Sequence, residues 1–400
     1  MSAPSWITAA DAARLLGVSR ATLYAYVSRG FVRSQSMPGA SRERGYSRED
    51  VERLRRRTEE RRDRDKAAAR ALHWGMPILE SSIALIDGNA LYYRGYDAAA
   101  LSRTRSLQEV ASLIWTGRFD GPLPSAPLEK GLKPPGNDGV PFAPRAQALL
   151  ATASAHDPLA FDRRPVSVAL TGWRILHLLA RAAAPSVTPA ATIDETLAGA
   201  WGVGARGVDL VRGALILCAD HELNVSSFTA RCVASAGSHP YAVVIAGLAA
   251  LEGTSHGGIT ARVESMLQSL RRTRHLQGAL AERLRRGDAI EGFGHPLYPK
   301  GDPRAAALFD YLRERYAKSA ELAFVLDVAE AAGSVLRERP TIDFALAALT
   351  RVLRLPQGSP LTLFGIGRTI GWIGHAMEQY ATGQLMRPRA KYVGVAPVTG

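Results

Sequence analysis

From residue 146 to residue 354 the chain repeats one kind of segment, an Ala-, Leu- and Arg-rich run whose apolar positions recur at helical spacing. The runs fall at 146–155, 165–183, 191–199, 207–218, 226–236, 240–251, 259–285, 304–333 and 342–354. Strand-like alternation does not separate them, no apolar stretch reaches the roughly 20 residues of a membrane span, and no fixed period relates one run to the next. The pattern predicts a body that is mainly α. A chain of 400 residues with 46% apolar content can bury such a body without staples, in about two or three domains. One strong strand signal precedes it: two short apolar runs within Ser82–Tyr96 flank Asp87-Gly88-Asn89 and read as a β-hairpin. Residues 119–145, rich in Pro and Gly, read as a surface connection.

Charge is distributed unevenly. Residues 1–70 hold sixteen Lys and Arg against nine Asp and Glu, so a surplus of seven out of +13 lies in under a fifth of the chain. That segment is matched to a polyanionic partner, whereas the +6 left on the rest suits anionic small molecules. Thr8 is placed to cap a short helix that ends at Gly17, and Ser19 to cap a second with Leu23 and Val27 on one face. Gly30, Pro38, Gly39 and Gly45 punctuate a hairpin or wing, after which Ser47–Arg57 reads as a third, very basic helix. Two short helices joined by a Gly-containing turn form a helix-turn-helix. With Arg-Gly-Phe-Val at 29–32 and Gly-Tyr-Ser-Arg-Glu-Asp-Val at 45–51, residues 5–57 resemble the MerR-type and excisionase-type DNA-binding domains. The resemblance implies that the second helix enters a major groove, with Ser19, Arg20, Thr22 and Tyr24 reading bases and Arg29, Arg42 and Arg44 on phosphates. The competing reading is a small helical interaction domain with solvated arginines. Residues 58–71 mix both signs on a helix-favouring background and read as a linker helix.

Cys218 and Cys232 are the only cysteines, too few for a disulfide framework, and they fit a reducing compartment. Met1–Leu16 carries Asp11 and Arg14 and no long apolar run, so it reads as neither a signal peptide nor a membrane anchor, and a cytoplasmic location is expected. Three motifs fail on context. Gly202-Val-Gly204-Ala-Arg-Gly207 has dinucleotide-loop spacing but no strand before it. Gly253-Thr-Ser255-His256-Gly257 has nucleophile-elbow spacing, yet an Ala/Leu-rich helical run precedes it, so Ser255 is not expected to attack a substrate. Cys218 and His221 are close in sequence without further ligands at metal-binding spacing, so no metal is expected.

The stretch Gly292–Arg304 combines Gly292 and Gly294 with Pro296, Pro299 and Pro303. It reads as a stiff loop presenting His295, a donor, and Arg304, a fork for a carboxylate. Four other positions stand in similarly unusual sequence: His221 in Ala-Asp-His-Glu-Leu-Asn, His256 in Thr-Ser-His-Gly-Gly, Asp343 in Thr-Ile-Asp-Phe and Arg368 in Gly-Arg-Thr-Ile-Gly-Trp. Arg387 follows in Arg-Pro-Arg-Ala-Lys-Tyr-Val-Gly. In order and spacing, and with the hairpin ending Tyr-Tyr-Arg-Gly-Tyr, these resemble the citrate synthase family from Ile78 to Gly394.

That resemblance implies a citrate synthase-like two-domain helical fold behind the small helix-turn-helix domain. The expected boundaries are 1–57 for the helix-turn-helix, 58–71 for the linker helix, 72–256 with 347–400 for a large domain and 257–346 for a small one. It also implies condensation of an acyl-CoA, acetyl or propionyl, with oxaloacetate to give citrate or 2-methylcitrate and CoA. The thioester is then a substrate and no cofactor is required. Such a reaction needs a base for the α-proton, donors for the thioester and ketone oxygens, and cations for the carboxylates. By position Asp343 is the expected base, His256 the enolate stabiliser and His295 the donor to the ketone, with His221, Arg304 and Arg368 on the oxo acid. The resemblance gives Arg387 to the partner subunit's site and so implies a homodimer. Departures limit the substrate reading: Phe-Ala-Leu-Ala follows Asp343, Pro296 and Pro299 stand where basic or polar residues are usual, and Thr254-Ser255 precedes His256. Lys300 is then the candidate cation for coenzyme A. The alternative function is a metabolite-sensing transcription regulator whose helical body binds ligand.

Overall fold

The computed structural model describes residues 6–36, 44–55, 79–121, 123, 139–187, 190–390 and 392–397. The chain divides into two compact units, Met1–Glu80 and Ser81–Gly400.

In the first unit β1 (Trp6–Ile7) leads into α1 (Ala9–Leu16) and α2 (Arg20–Ser28), followed by β2 (Ser34–Ser36), β3 (Arg44–Ser47) and α3 (48–55). The caps fall where the side chains dictate. Thr8 accepts the Asp11 amide, Gly17 closes α1 in the left-handed region at φ 63°, and Ser19 accepts the Thr22 amide. The strands form an antiparallel sheet in the order β1-β3-β2, the wing that the glycines and proline predict. Ala12, Leu23, Val32, Tyr46 and Val51 make the small core. Asp50, buried at the start of α3, takes the Arg33 backbone amide at 3.0 Å and its Nε at 2.7 Å, which fastens the third helix to the end of the second. Arg42, Pro38, Gly39 and the expected linker helix lie outside the described residues.

The second unit opens with β4 (Ala84–Asp87), β5 (Ala90–Tyr93) and β6 (Tyr96–Asp97), an antiparallel meander that contains the predicted hairpin. Fourteen helices follow among the described residues: α4 (Ala98–Thr104), α5 (Leu107–Thr116), α6 (Phe142–His156), α7 (Pro165–Ala183), α8 (Ile193–Ala200), α9 (Ala205–Leu217), α10 (Val225–Ser235), α11 (Pro240–Leu251), α12 (Ile259–Leu270), α13 (Leu276–Arg285), α14 (Pro303–Tyr316), α15 (Ala320–Leu336), α16 (Ile342–Leu353) and α17 (Ser359–Thr382). Two predicted runs divide. The run 259–285 breaks at Arg271–His275, which supplies no apolar position for the next turn, and 304–333 breaks where Ser319 caps α15 by accepting the Leu322 amide. No described helix is long and apolar enough to cross a membrane.

The axis of this unit is α17, buried almost continuously from Ser359 to Ala376 and packed against α5, α7, α9, α10 and α11. Its small residues set how closely neighbours approach. A Cβ on Gly371 would lie 2.3 Å from Asp220 Oδ2 and 2.5 Å from the Ala219 carbonyl oxygen, so any larger residue would force the turn that follows α9 to shift. Tyr93 of β5 secures that turn from the other side, donating to the Ile216 carbonyl at 3.0 Å and so satisfying an end of α9 that lacks intrahelical partners. The next residues of the turn carry the site.

Candidate active site

Of the seven proposed ligand-handling residues of the body, five come from three loops and two helix starts and a sixth from α17 itself. His221 stands in the turn after α9, His256 in the turn between α11 and α12, His295 in the loop before α14, Arg304 and Asp343 in the first turns of α14 and α16, and Arg368 within α17. The glycine–proline loop is built as its residues require. Gly292 and Gly294 adopt φ of 85° and 72°, and their backbone pairs with the chain entering α16: Gly294 N–H donates to Arg339 at 3.0 Å, and Thr341 N–H to Gly292 at 2.8 Å. Phe293 and Phe344 pack with ring centroids 4.8 Å apart. This short ladder ties the loop that carries His295 to the start of α16, which carries Asp343.

Each side chain then has its own support. The Arg304 guanidinium grips Asp302 in a fork, at 2.9 Å from Nε and 2.8 Å from a terminal nitrogen, while Asp302 Oδ2 also accepts the Ile342 amide at 3.0 Å. Arg368 is fully buried and donates Nε–H to the Cys218 carbonyl at 2.8 Å, but neither of its terminal nitrogens has a hydrogen-bond partner among the described residues. His221 Nε2 lies 3.0 Å from the Tyr298 hydroxyl, and its ring meets His295 edge-on with centroids 5.0 Å apart. The Leu297 amide donates to His295 Nδ1 at 3.2 Å, which puts the proton of the neutral ring on Nε2. His256 Nε2 is 2.8 Å from Ser226 Oγ, which also receives the Trp372 indole N–H at 3.2 Å and lies 2.8 Å from Asn224 Oδ1. Ser226 therefore has one proton for two acceptors, and when His256 receives it the ring carries its own proton on Nδ1.

Burial governs the electrostatics. It holds His256 and His295 down to about 4, reinforced by the charges of Arg368 and Arg304 respectively, so both rings are neutral donors at pH 7. His221 is pushed well below its ordinary value by burial and by the same two arginines. Asp343 moves the other way, up to about 6, because burial outweighs the pull of Arg304. Among the described residues its one side-chain hydrogen-bond partner is Thr341 Oγ1, at 3.3 Å. Burial draws Arg304 down but Asp302 more than reverses it, whereas Arg368 stays lowered by burial with Asp220 only partly compensating. Burial pushes the Cys218 thiol up to about 12, which makes it an inert core residue. Among the described residues no group of three or more His, Cys, Asp or Glu is arranged to hold a metal.

The cluster thus has three neutral imidazoles, a carboxylate poised near neutrality and two buried guanidiniums, a set able to enolise and align two polar substrates. The family described as citrate synthase, C-terminal domain, matches residues 71–136 and 166–389. The chain belongs to the citrate synthase family. Residues 7–59 match the MerR HTH family regulatory protein description. Among citrate synthase relatives, a Mycobacterium tuberculosis protein bearing the citrate synthase 2 designation is 31% identical over 338 residues, covering 78% of this chain and 88% of its own. A 2-methylcitrate synthase of Shewanella oneidensis is 28% identical over 353 residues, covering 78% and 91%. The fold is that of solved citrate synthases, such as the Thermotoga maritima enzyme with TM-score 0.69 and 24% identity over 81% of this chain and 96% of that one. The Thermoplasma acidophilum citrate synthase, solved with carboxymethyl coenzyme A and oxaloacetate, gives TM-score 0.68 and 22% identity over the same shares, 81% and 96%.

Arg387 stands apart from this cluster. It is exposed on the extended segment after α17, and no hydrogen bond or ion pair holds it among the described residues. Gly202–Gly204 forms the turn into α9, which Ala205–Gly207 open, and the element before it is the helix α8, while Ser255 is exposed in the turn after α11. In the first unit Arg20 and Tyr24 are exposed on α2, while the Ser19 hydroxyl caps that helix and lies 2.9 Å from Thr22 Oγ1. Sequence reasoning missed Ser226, Asp220 and Tyr298. Tyr298 was within reach, an aromatic in the stiff loop three residues beyond His295, whereas Ser226 and Asp220 acquire their meaning only from packing against α17.

Proposed function

We propose that this chain is an acyltransferase condensing acetyl-CoA or propionyl-CoA with oxaloacetate, to give citrate or 2-methylcitrate and free CoA. The observation that carries the reading is Arg368, a fully buried cation whose two outer nitrogens lack hydrogen-bond partners among the described residues. A charge left so in a protein interior costs several kcal/mol unless an anion answers it. A dicarboxylate keto acid between Arg368, Arg304 and His221 supplies that anion. Asp343 removes the α-proton of the thioester, and the electron pair moves into an enolate whose oxygen accepts the Nδ1 proton bond of His256. The nucleophilic carbon attacks the ketone while His295 donates from Nε2 to its oxygen, so a C–C bond forms and the alkoxide is protonated. Hydrolysis of the resulting thioester releases CoA. Family membership, the 2-methylcitrate synthase relative and the ligands of the Thermoplasma enzyme support this assignment of substrates.

No cofactor beyond the thioester is invoked. The working form is a cytoplasmic homodimer in which residues 257–346 close over the larger domain and Arg387 enters the partner subunit's site. In support, the segment carrying Arg387 also bears Leu385, Tyr392, Val393 and Val395, with exposures of 62%, 75%, 88% and 84%, an apolar strip suited to a second subunit. The test is a panel of acyl-CoA thioesters with oxaloacetate, followed by free thiol. Release with a short acyl chain supports the reading, and ligand binding without thiol release with any thioester overturns turnover in favour of a metabolite sensor.

The match of residues 7–59 to MerR HTH proteins favours a second property, DNA binding by the first unit. Ser19, Arg20, Thr22 and Tyr24 are the proposed groove-reading positions, with Arg29, Arg42 and Arg44 on phosphates. Arg20→Ala is expected to weaken binding of the whole protein to its operator at low salt, and an unchanged affinity overturns this arrangement.

A further inference from the structure

Tyr298 touches three members of the cluster at once. Its hydroxyl lies 3.0 Å from His221 Nε2, its ring centroid is 5.1 Å from that of His295, and the Arg304 guanidinium carbon sits 5.8 Å from its ring centre. The side chain is 2% exposed. Its backbone is equally fixed, with Tyr298 N–H donating to the His295 carbonyl and Gly301 N–H to the Tyr298 carbonyl, both at 2.9 Å. The phenol therefore joins the stiff loop before α14 to the turn after α9.

We propose that Tyr298 is a positioning residue for the oxo-acid site, its hydroxyl donating to His221 Nε2 and so keeping the single proton of that ring on Nδ1, ready for the ligand. The argument is one of proton counting. Two buried guanidiniums stand near His221 and exclude a second positive charge on the ring, so the imidazole has one N–H to offer. An anionic ligand or a ketone oxygen can only accept. The ring must then present its N–H to the ligand, and its other nitrogen must be an acceptor with a donor beside it. Nδ1 has no partner among the described residues, while Nε2 faces the one hydroxyl that can donate. Burial raises the Tyr298 phenol above its ordinary value, so it keeps the proton this role needs. A tautomer fixed in this way is set by the group on the far nitrogen, as in the outer partners of histidine ligands.

This inference rests on the proposed oxo-acid site and is tested so that the two can fail separately. The whole protein, labelled with ¹⁵N-histidine, is measured by solid-state NMR, with His221 signals identified by their loss in His221→Gln. The expected spectrum at neutral pH shows Nδ1 protonated and Nε2 bare. In Tyr298→Phe, which keeps the ring and its packing, His221 is expected to divide between tautomers, and oxaloacetate affinity by calorimetry is expected to fall about tenfold, the scale of one lost hydrogen bond. A wild-type spectrum with the proton on Nε2, or an unchanged affinity in Tyr298→Phe, overturns the proposal. Wild-type protein that binds no oxaloacetate overturns it together with the oxo-acid site. Oxaloacetate binding without thiol release removes only turnover, and the tautomer assignment then stands or falls by the spectrum.

Discussion

Arg304 and Arg368 are both buried on helices, their charges both reach His221, and they are differently provided for. Arg304 arrives with its counter-ion, Asp302, two residues upstream on the same stiff loop, and the pair is closed by the Ile342 amide. Arg368 is carried in by the central helix and, among the described residues, is satisfied only at Nε, its outer nitrogens unmatched. The loop side of the site is therefore complete without ligand, whereas the α17 side is complete only with one. Asp343 belongs with Arg368 in this respect, since its carboxyl is pushed up to about 6 by enclosure that a single hydroxyl bond does not offset. The contrast separates groups that build the site from groups that wait for chemistry.

The largest effect is expected where waiting is tied to proton transfer. Asp343→Asn should lower the rate of thiol release by about 10²- to 10⁴-fold, and an unchanged rate removes Asp343 as the base. The wild-type profile of kcat/KM should fall as pH drops through about 6, where this carboxyl takes up its proton. Stability has the opposite sign. The folded pKa is raised, so the stability linked to this group is present below the unfolded value of about 4 and is lost as pH rises through the folded value. Relative to wild type, Asp343→Asn should gain about 1–3 kcal/mol between about pH 4 and pH 7, read by urea unfolding at both ends. A pH-independent difference breaks the grouping of Asp343 with Arg368.

Exchanging the two arginines tests the contrast itself. Arg304→Met leaves Asp302 buried without its cation and is expected to cost about 3–5 kcal/mol, while Arg368→Met removes a charge that makes no ion pair among the described residues and is expected to be neutral or stabilising. Both should lose oxaloacetate binding. Equal unfolding midpoints for the two variants would erase the distinction. Ligand stabilisation sharpens it further: oxaloacetate at a hundred times its Kd should stabilise the wild type by about 2.7 kcal/mol, with little effect on Arg368→Met.

The legibility of these two sides in the sequence differs for the same reason. His295, Asp302 and Arg304 share thirteen residues whose glycines and prolines announce a rigid loop, so local chemistry alone marks them. The helical body was legible from its periodicity, and the hairpin from Asp-Gly-Asn. Two helix breaks were not, because Arg271–His275 and Ala317–Ser319 interrupt runs whose composition stays helix-favouring on both sides. The partners Ser226 and Asp220 were invisible for a different reason. Ser226 lies 146 residues from the tryptophan that donates to it, and Asp220 meets α17 through a glycine, so neither contact leaves a local pattern.

That glycine offers the smallest and most specific test. The Gly371 N–H donates to the Ala219 carbonyl at 2.9 Å, and a methyl group there would press on Asp220 and Ala219, immediately before His221. Overpacking of this kind costs about 1–3 kcal/mol, and the helix propensity gained by Gly→Ala returns about 1 kcal/mol, so the net loss of stability in Gly371→Ala should be small. The effect on the ligand should be larger than that net figure, because the methyl displaces the turn that aims His221 while leaving Asp302 and Arg304 untouched. Calorimetry should therefore show weaker oxaloacetate binding in a protein that melts within a few degrees of wild type. Unaltered affinity would mean that the turn after α9 absorbs the displacement, and that the α17 side of the site is less rigidly set than its packing implies.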